Sequence, residues 1–299
     1  MEYETLYETY KPLLISVAYR MVGTLADAED LVHDVFVNIQ RNDVGLIRHP
    51  QAYLIKLITN RCLNFLTSAR QKRETYVGPW LPEPLQSTGD HADPATEVIQ
   101  QETMAYGLLV MMERLSPVER AVFVLREALG YTHAEIARVL GKSEANCRKI
   151  YSRAKTKLQT SSGLPSCKSA QAEALAQAFQ QAVHTGKFDR FIDLLTEHAV
   201  LLSDGGGKVR AAIQPIIGRE RIRAFLEGIT RKGAFHGVLY QVTLNGQPGL
   251  LLIKNGQQAV SMAITFAPHE NRTQATHIFL VNNPDKLQHL SHPAKPPRV

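Results

Sequence analysis

The chain has 299 residues, a formal net charge of +6 and 44% hydrophobic residues. The length predicts two or three domains, and the apolar content excludes a chain too polar to bury a core. Three cysteines, Cys62, Cys147 and Cys167, are scattered without a CxxC or a Cys/His pair at zinc spacing. No metal, no cofactor and no disulfide framework is therefore expected. No apolar run reaches the roughly 18 residues of a membrane span, and the acidic start (Glu2, Glu4, Glu8) lacks a signal-peptide pattern. A cytoplasmic location is expected.

The chain opens with helices. Leu6, Tyr10, Leu13, Leu14, Val17, Ala18 and Met21 recur at helical spacing, interrupted only by Pro12, and Gly23 closes the helix. Thr24 caps a second helix, LADAEDLVHDVFVNIQ, with Ala28, Leu31, Val32, Val35, Phe36 and Ile39 on its apolar face. The opposite side stacks Asp27, Asp30, Asp34 and Asn38. Carboxylates in a first turn favour the helix dipole, which accounts for Asp27 and Asp30 better than for Asp34. Residues 41–49, RNDVGLIRH, read as a loop. Pro50 opens a third helix, apolar at Tyr53, Leu54, Leu57, Ile58, Cys62, Phe65 and Leu66 and polar at Lys56, Asn60, Arg61 and Asn64.

Residues 74–96 have four prolines and no periodicity, the signature of a linker. A passive tether is polar, yet Trp80, the chain's single tryptophan, sits here with Leu81 and Leu85. A tryptophan in a proline-stiffened segment predicts docking on a surface; a loose tether with a stray aromatic is the plainer alternative. Helix resumes over 97–114, and Ser116-Pro117-Val118-Glu119 is a capping box with proline at the first helical position.

Thr132 to Leu158 read as two short helices joined by a tight turn. Thr132 and Glu135 form a capping box, Ile136, Ala137 and Leu140 an apolar stripe, and Gly141 the stop. Ser143 caps the second helix, whose apolar side is Cys147, Ile150, Ala154 and Leu158. Seven basic residues lie between Arg138 and Lys157, against one acidic residue, Glu144. This is a helix-turn-helix layout, in which the second helix enters the major groove of DNA. A solvated basic helix in an ordinary bundle is the alternative.

SSGLPSCK at 161–168 marks a second boundary. Beyond it, residues 170–184 and 188–197 predict two helices. Strands follow at 199–203, 238–244, 250–253, 259–266 and 276–281, with a helix over 217–229. Turns at Asp204-Gly205-Gly206-Gly207, Asn245-Gly246 and Asn255-Gly256 separate the strands. The pattern describes an α+β cone, a curved sheet packed on helices. The tail from Ser291 reads as disordered.

Several motifs in order resemble the sigma factors of bacterial RNA polymerase, of the extracytoplasmic-function type. DAEDLVHDVFVNI resembles the family's polymerase-binding helix. HPQAYLIKLITNRCLNFL resembles its promoter-melting segment, and LSPVERAVFVLREALGYTHAEIARVLGKSEANCRKIYSRAKTKL its minus-thirty-five reader. WLPEPL, DGGGKV (204–209) and NPDKL (283–287) resemble signatures of a subgroup with a SnoaL-like extension of the NTF2-like superfamily. The resemblance implies a multi-domain fold: two all-α sigma domains, the second a helix-turn-helix, followed by an α+β NTF2-like cone. The implied division is region 2 at 1–73, a linker at 74–107, region 4 at 108–160, the SnoaL-like domain at 168–290 and the tail at 291–299.

The resemblance also implies roles. Asp30, Asp34 and Asn38 would meet the beta-prime clamp of polymerase core, and region 4 the beta flap. Arg41, Asn42, Lys56, Asn60 and Arg61 would hold the opened minus-ten strand. Ser143, Asn146, Arg148, Lys149, Ser152 and Arg153 would read the minus-thirty-five element, an arginine–guanine pair contributing about 1–3 kcal/mol of discrimination. The extension would act as a built-in regulator. Trp80, Pro82, Glu83 and Pro84 would dock near Asp204, Gly205, Gly206, Gly207 and Lys208 and near Asn283, Pro284, Asp285 and Lys286. Asp204 and Lys208 can serve there as anchors or simply shape a turn.

Two other readings remain open at this stage. Relatives of the extension include enzymes, and Asp204, His236, His277 or Asp285 can be proposed as acid–base groups, but no spacing demands catalysis and fold kinship is not activity; a pocket for a small regulatory ligand is a further option. A one-component repressor, helix-turn-helix plus ligand domain, leaves the acidic helix and the melting segment without a task.

Overall fold

The computed structural model describes residues 3–40, 48–73, 75–87, 104–159, 169–268 and 274–291. They fall into two units. One holds residues up to 75 and from 111 to 159; the other holds residues 76–87, 104–110 and everything from 169 onward.

The helical unit begins with α1 (Tyr3–Val22), α2 (Leu25–Gln40) and α3 (Pro50–Arg73). α1 runs through Pro12, and every residue from Leu14 to Val22 is buried. That all-round burial arises because α2, α3 and the later helix Pro117–Glu127 all pack on it. α4 (Tyr106–Met112) leads to α5 (Pro117–Glu127), α6 (His133–Leu140) and α7 (Glu144–Gln159). The two expected capping boxes form, at Ser116/Glu119 and at Thr132/Glu135. Gly141 takes the left-handed conformation (φ 62°) that ends α6.

The sequence pattern divides these helices into two domains, but in the structure α5 and α6 pack on α1 and α3. Arg120 makes the join. Only 2% exposed, it donates from Nε to the Arg20 carbonyl (3.0 Å) and pairs with Glu113. A buried guanidinium needs such partners, because an uncompensated charge in an apolar surround costs several kcal/mol. Cys62 and Cys147 are buried and free. Burial pushes the Cys62 thiol up to about 12, as befits inert core filler.

The second unit contains α8 (Ser169–Thr185), α9 (Asp189–Asp193), β1 (Leu195–Asp204), β2 (Ile216–Ile217), α10 (Arg219–Arg231), β3 (Gly237–Leu244), β4 (Gln247–Lys254), β5 (Met262–Pro268) and β6 (Ala275–Val281). The strands form one sheet in the order β2-β1-β6-β5-β4-β3. Only the β1–β6 pair is parallel. β3 and β4 are joined by Asn245-Gly246, both at positive φ, with Leu244 opposite Gln247. That is the two-residue turn whose twist matches the strands.

At two places an expected helix gives way to strand. The helix expected to reach Glu197 ends at Asp193, and β1 starts at Leu195. The ladder to β6 is irregular between Leu195 and Val200, and there only Leu195 and Ala199 are buried, with Glu197 and His198 exposed between them, a pattern that a helix also gives. The helix expected from 217 starts at Arg219, after Gly218 (φ 96°), and Ile216–Ile217 pair with β1 instead.

The sheet has a core on each face. On one, five phenylalanines (Phe179, Phe188, Phe191, Phe235, Phe266) fill the space under the helices with Leu250, Leu252, Ile264 and others. Phe179 is central, meeting the other four at ring centroid distances of 5.1 to 6.1 Å. On the other face Tyr240, Leu251, Phe279 and Val281 are covered by Leu81, Tyr106, Leu287 and Leu290. Phe179→Ala should therefore destabilise the C-terminal unit by about 3–5 kcal/mol, read as a lowered denaturation midpoint of that unit in urea.

Candidate functional site

Three polar surfaces and one buried cluster carry the chemistry. The first surface is α7. Its apolar side (Cys147, Ile150, Ala154, Leu158) is buried, and Ser143, Asn146, Arg148, Lys149, Ser152 and Arg153 are all exposed. Ser143 caps the helix, accepting from the Asn146 amide. Arg148 is paired with Glu144 at 2.7 Å, with both side chains at least half exposed. Such a surface pair is worth well under about 1 kcal/mol, so Arg148 is available to a stronger partner. The back of the helix is tied down by Lys157 on Glu119 (2.8 Å) and Tyr151 on Glu127. Burial works against the charge of Glu119. Its bonds from Lys157 and Ser116 outweigh that and hold the carboxyl below its usual range.

The second surface is the outer side of α2, where Asp30, Asp34 and Asn38 are exposed opposite the buried Leu31, Val32, Val35 and Ile39. Asn38 donates to the Asp34 carbonyl (2.6 Å). The third is the polar side of α3, where Lys56, Asn60 and Arg61 are exposed. The structure brings Asn38 to this third group. A cleft of about 330 Å³ between α2 and α3 is lined by Asn38, Asn60, Arg61, Asn64, Tyr53 and Leu57, with Val35 and Ile39 below. Amide and guanidinium edges beside a tyrosine ring are suited to an unstacked base. Sequence spacing put Asn64 on the polar side with them but left Tyr53 and Leu57 on the apolar arc, apart from that group. Arg41 and Asn42 lie outside the described residues.

The buried cluster is centred on Asp204, at the end of β1 and 0% exposed. Its carboxylate accepts from the Tyr76 hydroxyl (2.6 Å), the Leu81 amide (2.9 Å), the Gly206 amide (3.0 Å) and Lys286 Nζ (2.7 Å). Lys286, in the 3-10 turn Pro284–Lys286, also donates to the Leu81 carbonyl (2.5 Å). Its ammonium lies 4.1 Å from the Trp80 ring centroid and 5.3 Å from that of Tyr76. The cation is thus sandwiched by an ion pair and two aromatic faces. Burial and the neighbouring Asp204 push the Tyr76 hydroxyl well above the ordinary range, so it stays a donor.

The glycines have a geometric reason. A Cβ at Gly206 (φ 62°) would lie 2.4 Å from the Asn283 side chain, and one at Gly205 2.4 Å from the Val209 carbonyl. Asn283 uses the room to donate to the Tyr76 hydroxyl (3.0 Å) and to accept from the Asp285 amide (3.1 Å). Lys208 is an exposed partner of Asp285 (2.6 Å), outside the buried cluster. Of the two anchors expected in this loop, Asp204 therefore sits at the buried centre and Lys208 on the rim.

The segment from Tyr76 to Ser87 is a strap on the C-terminal unit. Leu81 to Gln86 are buried. Gln86 bridges to Leu244, the Ser87 amide donates to Thr243, and Leu85 exchanges bonds with Asn245 (2.7 and 3.0 Å), so the strap extends the β3 edge. Tyr106 joins it, donating to the Pro82 carbonyl (2.7 Å) and packing edge-on against Phe279. Sequence reading found Trp80 and the prolines but not Tyr76, Tyr106, Asn245 or His289, whose partners lie at least 24 positions away in the chain.

The groups proposed above for acid–base work do not meet. Asp204 is saturated by four donors, and Asp285 is paired with Lys208. His277 is buried on β6, stacked on Phe279, and His236 is an exposed residue before β3, with two strands between them. Among the described residues no group of three or more His, Cys, Asp or Glu is placed to hold a metal ion. No described helix is long and apolar enough to cross a membrane.

Comparison with known proteins agrees with the motifs. Residues 6–72 match the family model for sigma-70 region 2, and residues 107–158 that for sigma-70 region 4. The chain is 33% identical to the ECF RNA polymerase sigma factor SigJ of Mycobacterium tuberculosis, over 81% of this chain and 78% of that one. It is 32% identical to a probable ECF sigma factor, SigI, of the same species, over 63% and 65%. The crystal structure of M. tuberculosis SigJ superposes with a TM-score of 0.76 at 28% identity, covering 94% of this chain and 97% of that one.

Truncating the buried cluster should give graded losses. Lys286→Met leaves the Asp204 charge buried without its counter-ion and should cost about 3–5 kcal/mol. Tyr76→Phe removes one donor and should cost about 1–3 kcal/mol. Urea denaturation followed by Trp80 emission checks the order; equal, small losses would mean that the cluster is not cooperative.

Proposed function

The chain belongs to the sigma-70 factors of the extracytoplasmic-function type, and we propose that it carries polymerase core to its promoters through the three surfaces just described. Asp30 and Asp34 on α2 supply a carboxylate face for a basic surface of the beta-prime clamp, and region 4 docks at the beta flap. Lys56, Asn60 and Arg61, with the cleft beside them, hold the opened minus-ten strand. Arg148 and Arg153, aided by Ser143, Asn146, Lys149 and Ser152, read the minus-thirty-five element. The observation that carries this reading is α7: every proposed reading residue is exposed on a helix whose apolar side is buried.

The packing of the helical unit supports a resting state. The minus-ten and minus-thirty-five elements lie about 25 base pairs apart, about 85 Å at about 3.4 Å per pair. α1 and α5 nevertheless touch through Arg20 and Arg120. Engaging both elements at once requires α5–α7 to separate from α1–α3. On this reading the C-terminal unit governs that step. It holds the chain at Tyr76–Ser87 and at Tyr106, both between the two DNA-reading segments, and so restricts how far those segments can part. Regulation by tethering needs no chemistry in the cone, and the phenylalanine-filled face and the dispersed polar groups favour a non-catalytic extension.

Run-off transcription with purified polymerase core tests the function. Transcript should appear only when the protein is added. Arg148→Ala should lower promoter-dependent output at least several-fold with core binding unchanged, and Asp34→Lys should lower core binding itself. Output that is independent of the protein would sink the reading.

A further inference from the structure

The strap is held at its far end by a second polar contact, around His289. Nδ1 of the imidazole lies 2.5 Å from the Glu83 carboxylate, and Nε2 lies 2.9 Å from the Pro84 carbonyl. Both partners are acceptors. A carbonyl has no proton to give, and a carboxylate is ionised near neutral pH. A neutral imidazole carries one N–H, so one ring nitrogen would present its lone pair to an oxygen at bonding distance. Rotating the ring by half a turn does not help, because it sets carbon atoms at those short separations. The geometry is satisfied in full only by the doubly protonated ring, which donates to both oxygens and neutralises the Glu83 charge. Glu83 is the more buried partner, its side chain 8% exposed against 26% for His289.

We infer that docking of the strap on the C-terminal unit takes up a proton at His289, so that the tether between the two DNA-reading segments loosens as pH rises through neutrality. The inference rests on the tethering role proposed above and adds its control. The sign follows from linkage. The docked strap binds a proton that a free histidine, with a pKa of about 6.5, gives up at neutral pH. Docking is therefore at full strength below that value and weakens as pH rises above it. The other charged groups of the clasp are ion pairs, Asp204 with Lys286 and Asp285 with Lys208, and burial and the neighbouring Asp204 push the Tyr76 hydroxyl further above neutrality.

Native-state hydrogen exchange on the full chain tests the inference, because the Leu81 and Leu85 amides are bonded to Asp204 and Asn245 only in the docked strap. After correction for intrinsic exchange, their protection should fall between pH 6.5 and 7.5, by up to about tenfold for one linked proton. In His289→Gln, which cannot titrate, the same amides should show a flat profile, and Glu83→Gln should flatten it in part. NMR should show both ring N–H groups of His289 at pH 6.5. A pH-independent profile in the native protein, or an unchanged slope in His289→Gln, would overturn the inference. Protection absent at every pH would instead reject docking itself, and with it the tethering role.

Discussion

The Asp204 carboxylate is the constraint on which the C-terminal half depends. A charge with no exposure to water is costly unless paired and bonded on every side. Its donors come from Tyr76 and Leu81 in the strap, Gly206 in the glycine turn and Lys286 beyond the last strand. None of these segments can leave without stranding a buried charge. The three short motifs that look unrelated along the chain are therefore parts of one object. The glycines let Asn283 approach, the Asn283 side chain steadies Tyr76 and the 3-10 turn, and that turn delivers Lys286 between Trp80 and Tyr76.

The helical unit follows a different logic. Its functional groups are exposed and owe their placement to helix periodicity, which drives one side of α2, α3 and α7 into the core and leaves the other side free. Arg20 and Arg120 are the exception, two buried cations at the contact between helices from distant parts of the sequence.

The C-terminal fold uses both faces of one sheet for separate ends. One face is closed by helices over a phenylalanine core. The other would expose Tyr240, Leu251, Phe279 and Val281 if it were not covered by Leu81, Tyr106, Leu287 and Leu290. Docking the strap is thus also the completion of a hydrophobic core, and the polar cluster supplies its register.

Sequence by itself determined what local physics controls: helix positions, the capping boxes at Ser116 and Thr132, the Gly141 stop, the Asn245-Gly246 hairpin, and the acidic and basic helix faces. These depend on spacings of three or four residues or on a single dihedral. It also marked the strap, through a tryptophan too apolar for a linker. Only the tertiary structure decided the rest. The start of β1 passes for a helix, because the irregularity between Leu195 and Val200, five steps on β1 against two on β6, leaves Glu197 and His198 exposed between buried Leu195 and Ala199. The partners of Asp204 lie more than 80 positions away except for Gly206, and His289 lies 205 positions from its partner Pro84. The packing of α5 on α1 includes a guanidinium that reaches a carbonyl 100 residues away. Buried polar pairs obey no period along the chain, so their pairing is visible only once the fold has brought them together.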